Sequence, residues 1–81
     1  MFSKKICVIG LGYIGLPTAA LLAHRGYDVH GVDVEQSTVN IINRGEIHIV
    51  EPELDTFVKG AVSSGKLKAS LNPCEADVFI I

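Results

Sequence analysis

Apolar residues occur along this chain in short runs separated by glycine and polar residues. Some runs are continuous, as in buried strands, and the segments between them have the spacing of helices. Continuous runs rich in β-branched residues, bounded by turn residues, are typical of buried strands. They predict four strands, at residues 4–9, 27–33, 66–70 and 77–81.

Helical periodicity occupies the segments between these strands. It predicts helices at residues 13–25 and 35–44, and a third helix with Pro52 in its first turn and Gly65 just beyond its end. The segment 72–75, Asn-Pro-Cys-Glu, resembles a capping box and predicts one helical turn before the last strand.

The resulting order, β-α-β-α-α-β-β, predicts an α/β fold with parallel strands and right-handed crossovers. We expect part of a doubly wound, Rossmann-type sheet with strand order 3-2-1-4 and flanking helices. In such sheets ligands bind above the carboxyl ends of the strands.

The sequence G-x-G-x-x-G joins the first strand to the first helix, which is the context that makes this short motif informative. Gly10 would allow the tight turn, Gly12 a close approach of a diphosphate, and Gly15 close packing of helix on strand. The backbone N–H groups of Tyr13 and Ile14 would face the anion at the positive end of the helix. The motif predicts a dinucleotide-binding βαβ unit.

Asp33 stands at the end of the second predicted strand, where a carboxylate can accept hydrogen bonds from the adenosine ribose. A carboxylate there repels a 2′-phosphate, and no arginine occurs in residues 34–38. This favours NAD over NADP. The alternative is that Asp33 only caps the following helix.

Charge and composition narrow the classes of partner. The 81 residues carry a net charge of −2, which gives no electrostatic basis for binding nucleic acid or an anionic membrane. The longest apolar stretch, residues 14–23, is too short to span a bilayer, and no signal peptide is recognisable. We therefore expect a cytoplasmic protein. Cys7 and Cys74 lack metal-ligand spacing, so no metal site is predicted.

The chain ends in the apolar run 77–81, which reads as a buried strand. We therefore expect a fragment of a longer polypeptide, with residues 1–81 forming the N-terminal part of an NAD-binding domain and the catalytic and substrate domains absent. No nucleophile–base pair can be assembled from this segment, so it contains no predicted catalytic residue. His48, in a loop expected near the carboxyl edge of the sheet, could contact a ligand or simply pack.

The run from Val8 to Pro17 resembles the N-terminus of the UDP-glucose/GDP-mannose dehydrogenase family. The run from Ile42 to Pro52 is narrower and resembles the UDP-N-acetyl-D-mannosamine dehydrogenases of bacterial surface-polysaccharide synthesis, including the enterobacterial common antigen pathway.

The resemblance implies a cytoplasmic, homo-oligomeric enzyme that oxidises the C6 alcohol of a UDP-sugar to a carboxylate and reduces two NAD⁺. The family's catalytic cysteine would lie beyond this segment, since neither cysteine here matches its motif, and this segment alone should be inactive. Cofactor binding carries over to six residues: Gly10, Gly12, Tyr13, Ile14, Gly15 and Asp33. Many relatives have a lysine or arginine at the start of the second helix, where this chain has Ser37 and Thr38.

Two other functions remain open from the sequence. One is a nucleotide-sugar dehydrogenase acting on UDP-glucose or UDP-N-acetylglucosamine. The other is a non-catalytic module that senses NAD.

Overall fold

A computed structural model describes residues 4–81, which form one parallel sheet with helices between its strands. The strands run in the spatial order β3-β2-β1-β4, and each neighbouring pair is parallel. The predicted order 3-2-1-4 and the α/β class are confirmed. The strands are β1 (Lys5–Ile9), β2 (Asp28–Val32), β3 (Leu67–Ser70) and β4 (Val78–Ile80).

Within residues 4–81 three helices connect β1 to β2 and β2 to β3: α1 (Gly15–His24), α2 (Gln36–Asn43) and α3 (Leu54–Ser63). Each begins one to two residues inside the predicted segment, because the flanking residues form the turns that carry the chain to and from the sheet. None of these helices is long and apolar enough to cross a membrane.

One face of the sheet carries the core. Alternate residues of a strand share a face, and the strand residues of that face belong to a single buried cluster with residues of all three helices. The helix α1 contributes mostly alanine, so its backbone can lie close to the strands. The cluster's strand members are Ile6, Val8, Val29, Leu67 and Ala69, and its α1 members are Leu16, Ala19, Ala20 and Ala23.

The outer strand β3 is held by a side chain as well as by its neighbour β2. The Asn43 amide nitrogen donates to the Ala69 carbonyl, and the Asn43 amide oxygen accepts from the Ala69 N–H, both at 2.8 Å. This pair satisfies backbone groups that an edge strand otherwise leaves open. It also ties the end of α2 to the sheet.

The helical turn predicted for residues 72–75 is wrong, because that segment has no helix. The residues between β3 and β4 must cross from one edge of the sheet to the other, over β2 and β1. Strands lie about 4.8 Å apart, so a short connection covers that width in an extended form. The start of the crossing is fixed by Ser70, whose hydroxyl donates to the Asn72 carbonyl at 2.7 Å.

The position of Pro52 is also corrected. It lies before α3 and not in its first turn, since the helix begins at Leu54. Glu53 precedes the helix with φ of 65°, in the left-handed region that non-glycine residues rarely adopt. The buried strand expected at residues 77–81 is likewise wrong in its burial. Among the strands of residues 4–81, β4 pairs only with β1, and Val78 and Phe79 are 40% and 53% exposed.

Candidate functional site

The turn between β1 and α1 is shaped by two of its glycines for different reasons. Gly10 has φ of 94°, a conformation open to glycine, and its N–H donates to the Val32 carbonyl at 2.7 Å. A Cβ on Gly15 would overlap the carbonyl oxygen of Gly10 and lie 2.8 Å from its carbonyl carbon. The fold itself therefore requires glycine at both positions.

Gly12 has neither constraint. It is not among the positive-φ glycines, and a Cβ there would meet no atom of residues 4–81 within 4 Å. The space above it is open, and the side chains of Tyr13 and Ile14 beside it are 66% and 83% exposed. Folding gives no reason for the missing side chain at this position, whereas a ligand that approaches the backbone does.

The backbone N–H groups of Tyr13 and Ile14 find no acceptor within the described part of the chain. They lie directly before α1, where the helix dipole adds a partial positive charge. Bare amides at such a position bind anions, and phosphates above all.

Asp33 follows β2 and uses both carboxylate oxygens. Its Oδ2 accepts from the N–H of Leu11 and its Oδ1 accepts from the N–H of Glu35, each at 3.0 Å. The first bond ties the glycine turn to the end of β2. The second is made to the backbone of Glu35, which is the N-cap residue of α2 and makes no side-chain cap bond, so the alternative interpretation of Asp33 as the cap of that helix is wrong. Carboxylate oxygens can accept more than one hydrogen bond, so both can also receive a ligand hydroxyl.

The same contacts favour the ionised form of Asp33. The N–H of Leu11 is the largest influence that lowers the pKa of this carboxyl group below its usual value, and partial burial opposes it. The N–H groups of Glu35 and Val34 and the nearby charge of His48 lower the pKa further. Asp33 is therefore a permanent carboxylate at neutral pH.

The loop at residues 45–51 carries His48, whose charge is one of the smaller influences that lower the pKa of Asp33. Ile49 is buried and Ile47 packs against the same core, which anchors the loop on both sides of His48. The Nδ1 atom of His48 is buried and has no hydrogen-bond partner within residues 4–81.

Chemically reactive groups do not gather here. Cys7 is fully buried in β1 and Cys74 is half-buried, and both are free thiols. Within residues 4–81 no group of three histidine, cysteine or acidic side chains is placed to hold a metal ion. The arrangement can bind a phosphorylated, hydroxyl-bearing ligand.

The structure brings the predicted glycines and Asp33 together at the carboxyl ends of β1 and β2. Leu11 was missed. Its side chain is fully buried against Gly31, where a Cβ would lie 2.8 Å from a Leu11 methyl carbon, and its N–H reaches Asp33. The sequence signals an apolar residue inside the motif but not this hydrogen bond.

Known proteins match this arrangement along the chain. Residues 4–81 match the family model described as the UDP-glucose/GDP-mannose dehydrogenase family, NAD binding domain. A UDP-N-acetyl-D-mannosamine dehydrogenase from Methanococcus maripaludis is 62% identical over 78 residues, which cover 96% of this chain and 18% of that protein. The Escherichia coli K12 enzyme of the same name is 62% identical over 81 residues, covering 100% of this chain and 19% of the relative.

A solved structure agrees with the sequence relatives. The UDP-N-acetyl-mannosamine dehydrogenase from Staphylococcus aureus superposes with a TM-score of 0.91 at 49% identity, over 94% of this chain and 18% of that one. The chain thus spans about a fifth of the length of the relatives it matches. The recognition made from residues 8–17 is confirmed, and the chain belongs to the UDP-glucose/GDP-mannose dehydrogenase family.

Proposed function

We propose that this chain holds the ADP half of NAD. The N–H groups of Tyr13 and Ile14 bind the diphosphate over Gly12, and the carboxylate of Asp33 accepts hydrogen bonds from the adenosine ribose. The observation that carries the proposal is the open space above Gly12, between two glycines that the fold fixes in place. The chain supplies an anion-binding turn and a hydroxyl-binding carboxylate on the same edge of the sheet, which fits the chemistry of a dinucleotide.

NAD is preferred to NADP in this proposal for an electrostatic reason. Asp33 is ionised, and no lysine or arginine occurs in residues 34–38 to neutralise a 2′-phosphate. Thr38 is buried in α2 and Ser37 is uncharged, so neither offers a cation. The 2′-phosphate of NADP would therefore meet the uncompensated negative charge of Asp33.

For the intact protein we propose oxidation of UDP-N-acetyl-D-mannosamine at C6 to the uronate. Converting an alcohol to a carboxylate removes four electrons, so two NAD⁺ each accept a hydride and water supplies the second oxygen. The names of the relatives support this substrate. A product of this kind suits surface-polysaccharide synthesis, with the enterobacterial common antigen as the narrower possibility, and we place the enzyme in the cytoplasm as a homo-oligomer.

In this scheme residues 1–81 are the N-terminal part of the NAD-binding domain, and the nucleophile and the sugar site belong to other segments. Residues 1–81 in isolation should show no dehydrogenase activity, because Cys7 is buried and neither Cys7 nor Cys74 matches the motif of the family's catalytic cysteine. Turnover by purified residues 1–81 would contradict that assignment.

Calorimetric titration of the intact protein with NAD and NADP tests the cofactor proposal. Replacing Asp33 with alanine should weaken NAD binding roughly tenfold to 150-fold, as expected for loss of a charged hydrogen bond. Asp55→Ala, an exposed change in the first turn of α3, is the matched control and should leave binding unchanged. Equal affinity of the Asp33 variant and the wild type would refute the ribose assignment.

A panel of UDP-sugars separates the remaining functions. Turnover of UDP-N-acetyl-D-mannosamine supports the proposal, and faster turnover of UDP-glucose or UDP-N-acetylglucosamine favours the other dehydrogenases. Tight NAD binding without turnover of any sugar would point instead to an NAD-sensing module.

A further inference from the structure

A hollow of about 300 Å³ runs along the surface between α1 and α3, and its lining is largely apolar. A second hollow of about 360 Å³ continues it toward the C-terminal ends of the two helices, and Phe57 lines both. Together they form the α1–α3 groove, which is lined on the α1 side by Pro17, Leu21 and His24 and on the α3 side by Phe57 and Gly60.

The α1–α3 groove exposes large apolar side chains that residues 4–81 leave uncovered. Leu21 and Phe57 are 50% and 38% exposed, and they line the same hollow. Single exposed apolar side chains are ordinary, but a contiguous set in a concave surface marks a place where another protein segment binds. The ring of His24 packs edge-on against that of Phe57, with centroids 5.0 Å apart, which holds this wall of the groove in place.

Gly60 is the second unusual feature of the groove. It lies in the interior of α3, where glycine is less favourable than alanine. Its φ is not positive, and a Cβ there would meet no neighbouring part of residues 4–81 within 4 Å. The fold of these residues therefore gives no reason for the missing side chain, whereas the close approach of another backbone does.

A carboxylate without a partner stands at the other end of the groove. Glu51 lines the groove beside Pro52 and is half-buried, and no hydrogen bond or ion pair joins its side chain to another residue of 4–81. A half-buried charge is stabilised when an opposite charge meets it. The groove thus fits a segment that is apolar along its length and basic at the end next to Glu51.

The relatives indicate where such a segment can come from. This chain covers 18% and 19% of two of them, so about four-fifths of their length lies outside the matched part. A segment of the same polypeptide can reach an effective concentration on the order of millimolar at the groove, without the loss of freedom that a separate molecule undergoes.

We propose that the α1–α3 groove seats a segment of the intact polypeptide from outside residues 1–81. This segment packs apolar side chains between Leu21 and Phe57, passes its backbone over Gly60 and places a lysine or arginine at Glu51. The inference goes beyond the proposed function, because it requires no NAD.

Replacing Gly60 with alanine in the intact protein gives opposite results with and without a seated segment. In an open groove alanine favours the helix and should raise Tm by about 1–3 °C. Beneath a closely packed segment the added methyl group overlaps its backbone, so we expect Tm to fall instead. Ser63→Ala, at the exposed end of the same helix, is the matched control and should not lower Tm. A Tm that rises or stays unchanged in Gly60→Ala would overturn the proposal.

Photochemical cross-linking identifies the occupant. The intact protein would carry a photoreactive benzoylphenylalanine in place of the exposed Leu21, and isotopically heavy and light subunits would be mixed. We expect position 21 to become joined to a segment outside residues 1–81 of the same subunit. The same group in place of Lys59, which lies outside the groove, should not give this product. Cross-links between heavy and light subunits would assign the groove to a second copy, and no cross-link beyond residues 1–81 would leave it without the proposed occupant; either result refutes the proposal.

Charge reversal tests the basic end of the segment. Glu51→Lys should lower the yield of the cross-link from position 21 roughly threefold, the value of one ion pair at a partly exposed site. Asp55→Lys, in the first turn of α3 and outside the groove, is the control and should leave the yield unchanged. Equal yields in the two variants would refute the contact at Glu51. None of these measurements involves NAD, so a failure here leaves the proposed cofactor site standing.

Discussion

Adding one methyl group at Gly12 should separate ligand binding from folding. A Cβ at this position meets no atom of residues 4–81 within 4 Å, whereas a Cβ on Gly15 runs into the backbone carbonyl of Gly10. Gly12→Ala should therefore fold normally and bind NAD poorly. Gly15→Ala should fail at the level of the fold.

The magnitudes follow from these contacts. Because Gly12 has no positive φ, alanine there should raise the free energy of unfolding slightly, by about 0.4–1 kcal/mol at most. In the complex, the methyl group would push the diphosphate away from the N–H groups of Tyr13 and Ile14. Loss of one charge-assisted hydrogen bond, at about 1.5–3 kcal/mol, corresponds to roughly a tenfold to 150-fold weaker affinity.

For Gly15→Ala the obstacle is backbone, which cannot rotate away. Moving the carbonyl of Gly10 would disturb the bond from its N–H to Val32, at 2.7 Å, and shift α1 from the sheet. Overpacking of this kind costs about 1–3 kcal/mol or more, so this variant should unfold at a clearly lower denaturant concentration.

Urea unfolding and calorimetric NAD titration of the three intact proteins provide the measurement. Wild-type affinity in Gly12→Ala would show that no ligand lies over that backbone, and the reasoning would fail at its central step. Equal destabilisation by the two alanines would show that Gly12 serves packing after all.

Three further variants test the surrounding structure by urea or acid unfolding of the intact protein. Asn43→Ala removes both hydrogen bonds to Ala69 and should lower the free energy of unfolding by about 1–3 kcal/mol. Asn40→Ala, on the exposed side of α2, should lower it by less than half as much, and equal losses would contradict the role of Asn43 at the edge strand. Glu53→Gly should raise the free energy of unfolding by up to about 1 kcal/mol. The change relieves a left-handed φ that costs about 1–2 kcal/mol, and the greater conformational entropy that glycine loses on folding offsets part of this gain. A lower free energy of unfolding would contradict the prediction. The pKa of Asp33 is lower in the folded protein than its unfolded value near 3.8, so its ionised form stabilises the fold fully above that pH. This stabilisation disappears as the pH falls through the folded pKa, so the free energies of unfolding of the wild type and Asp33→Asn should converge in acid. A difference that stays constant with pH would contradict this.

The sheet order was predictable because its causes are local. Apolar runs such as residues 4–9 mark strands, and right-handed crossovers leave one arrangement for a β-α-β unit that begins with a glycine turn. The pattern at residues 72–75 misled for a tertiary reason. Its capping residues favour a helical turn locally, but the segment must extend across two strands to reach β4.

At the candidate site, too, the sequence predicted what depends on local patterns and missed what depends on tertiary contacts. The spacing from the motif predicts a carboxylate at the end of β2, and Asp33 is found there. Its bond to the N–H of Leu11 joins residues 22 apart in the chain, and the buried nitrogen of His48 depends on how the loop packs. Such contacts follow from the assembled fold, and no local pattern encodes them.

Leu11 shows why the turn is preorganised for its ligand. Its side chain is fully buried against Gly31 of β2, and its N–H is held by Asp33 at the end of the same strand. Two independent contacts thus fix the residue immediately before Gly12. One is the packing of its side chain in the core, and the other is the hydrogen bond from its N–H to the carboxylate of Asp33. A ligand that binds the bare amides beyond Gly12 does not have to order this part of the backbone, so less of its binding energy is spent on conformational entropy. The carboxylate that shapes the turn is also the proposed ribose acceptor, which makes the spacing between the diphosphate and ribose sites a property of the folded chain.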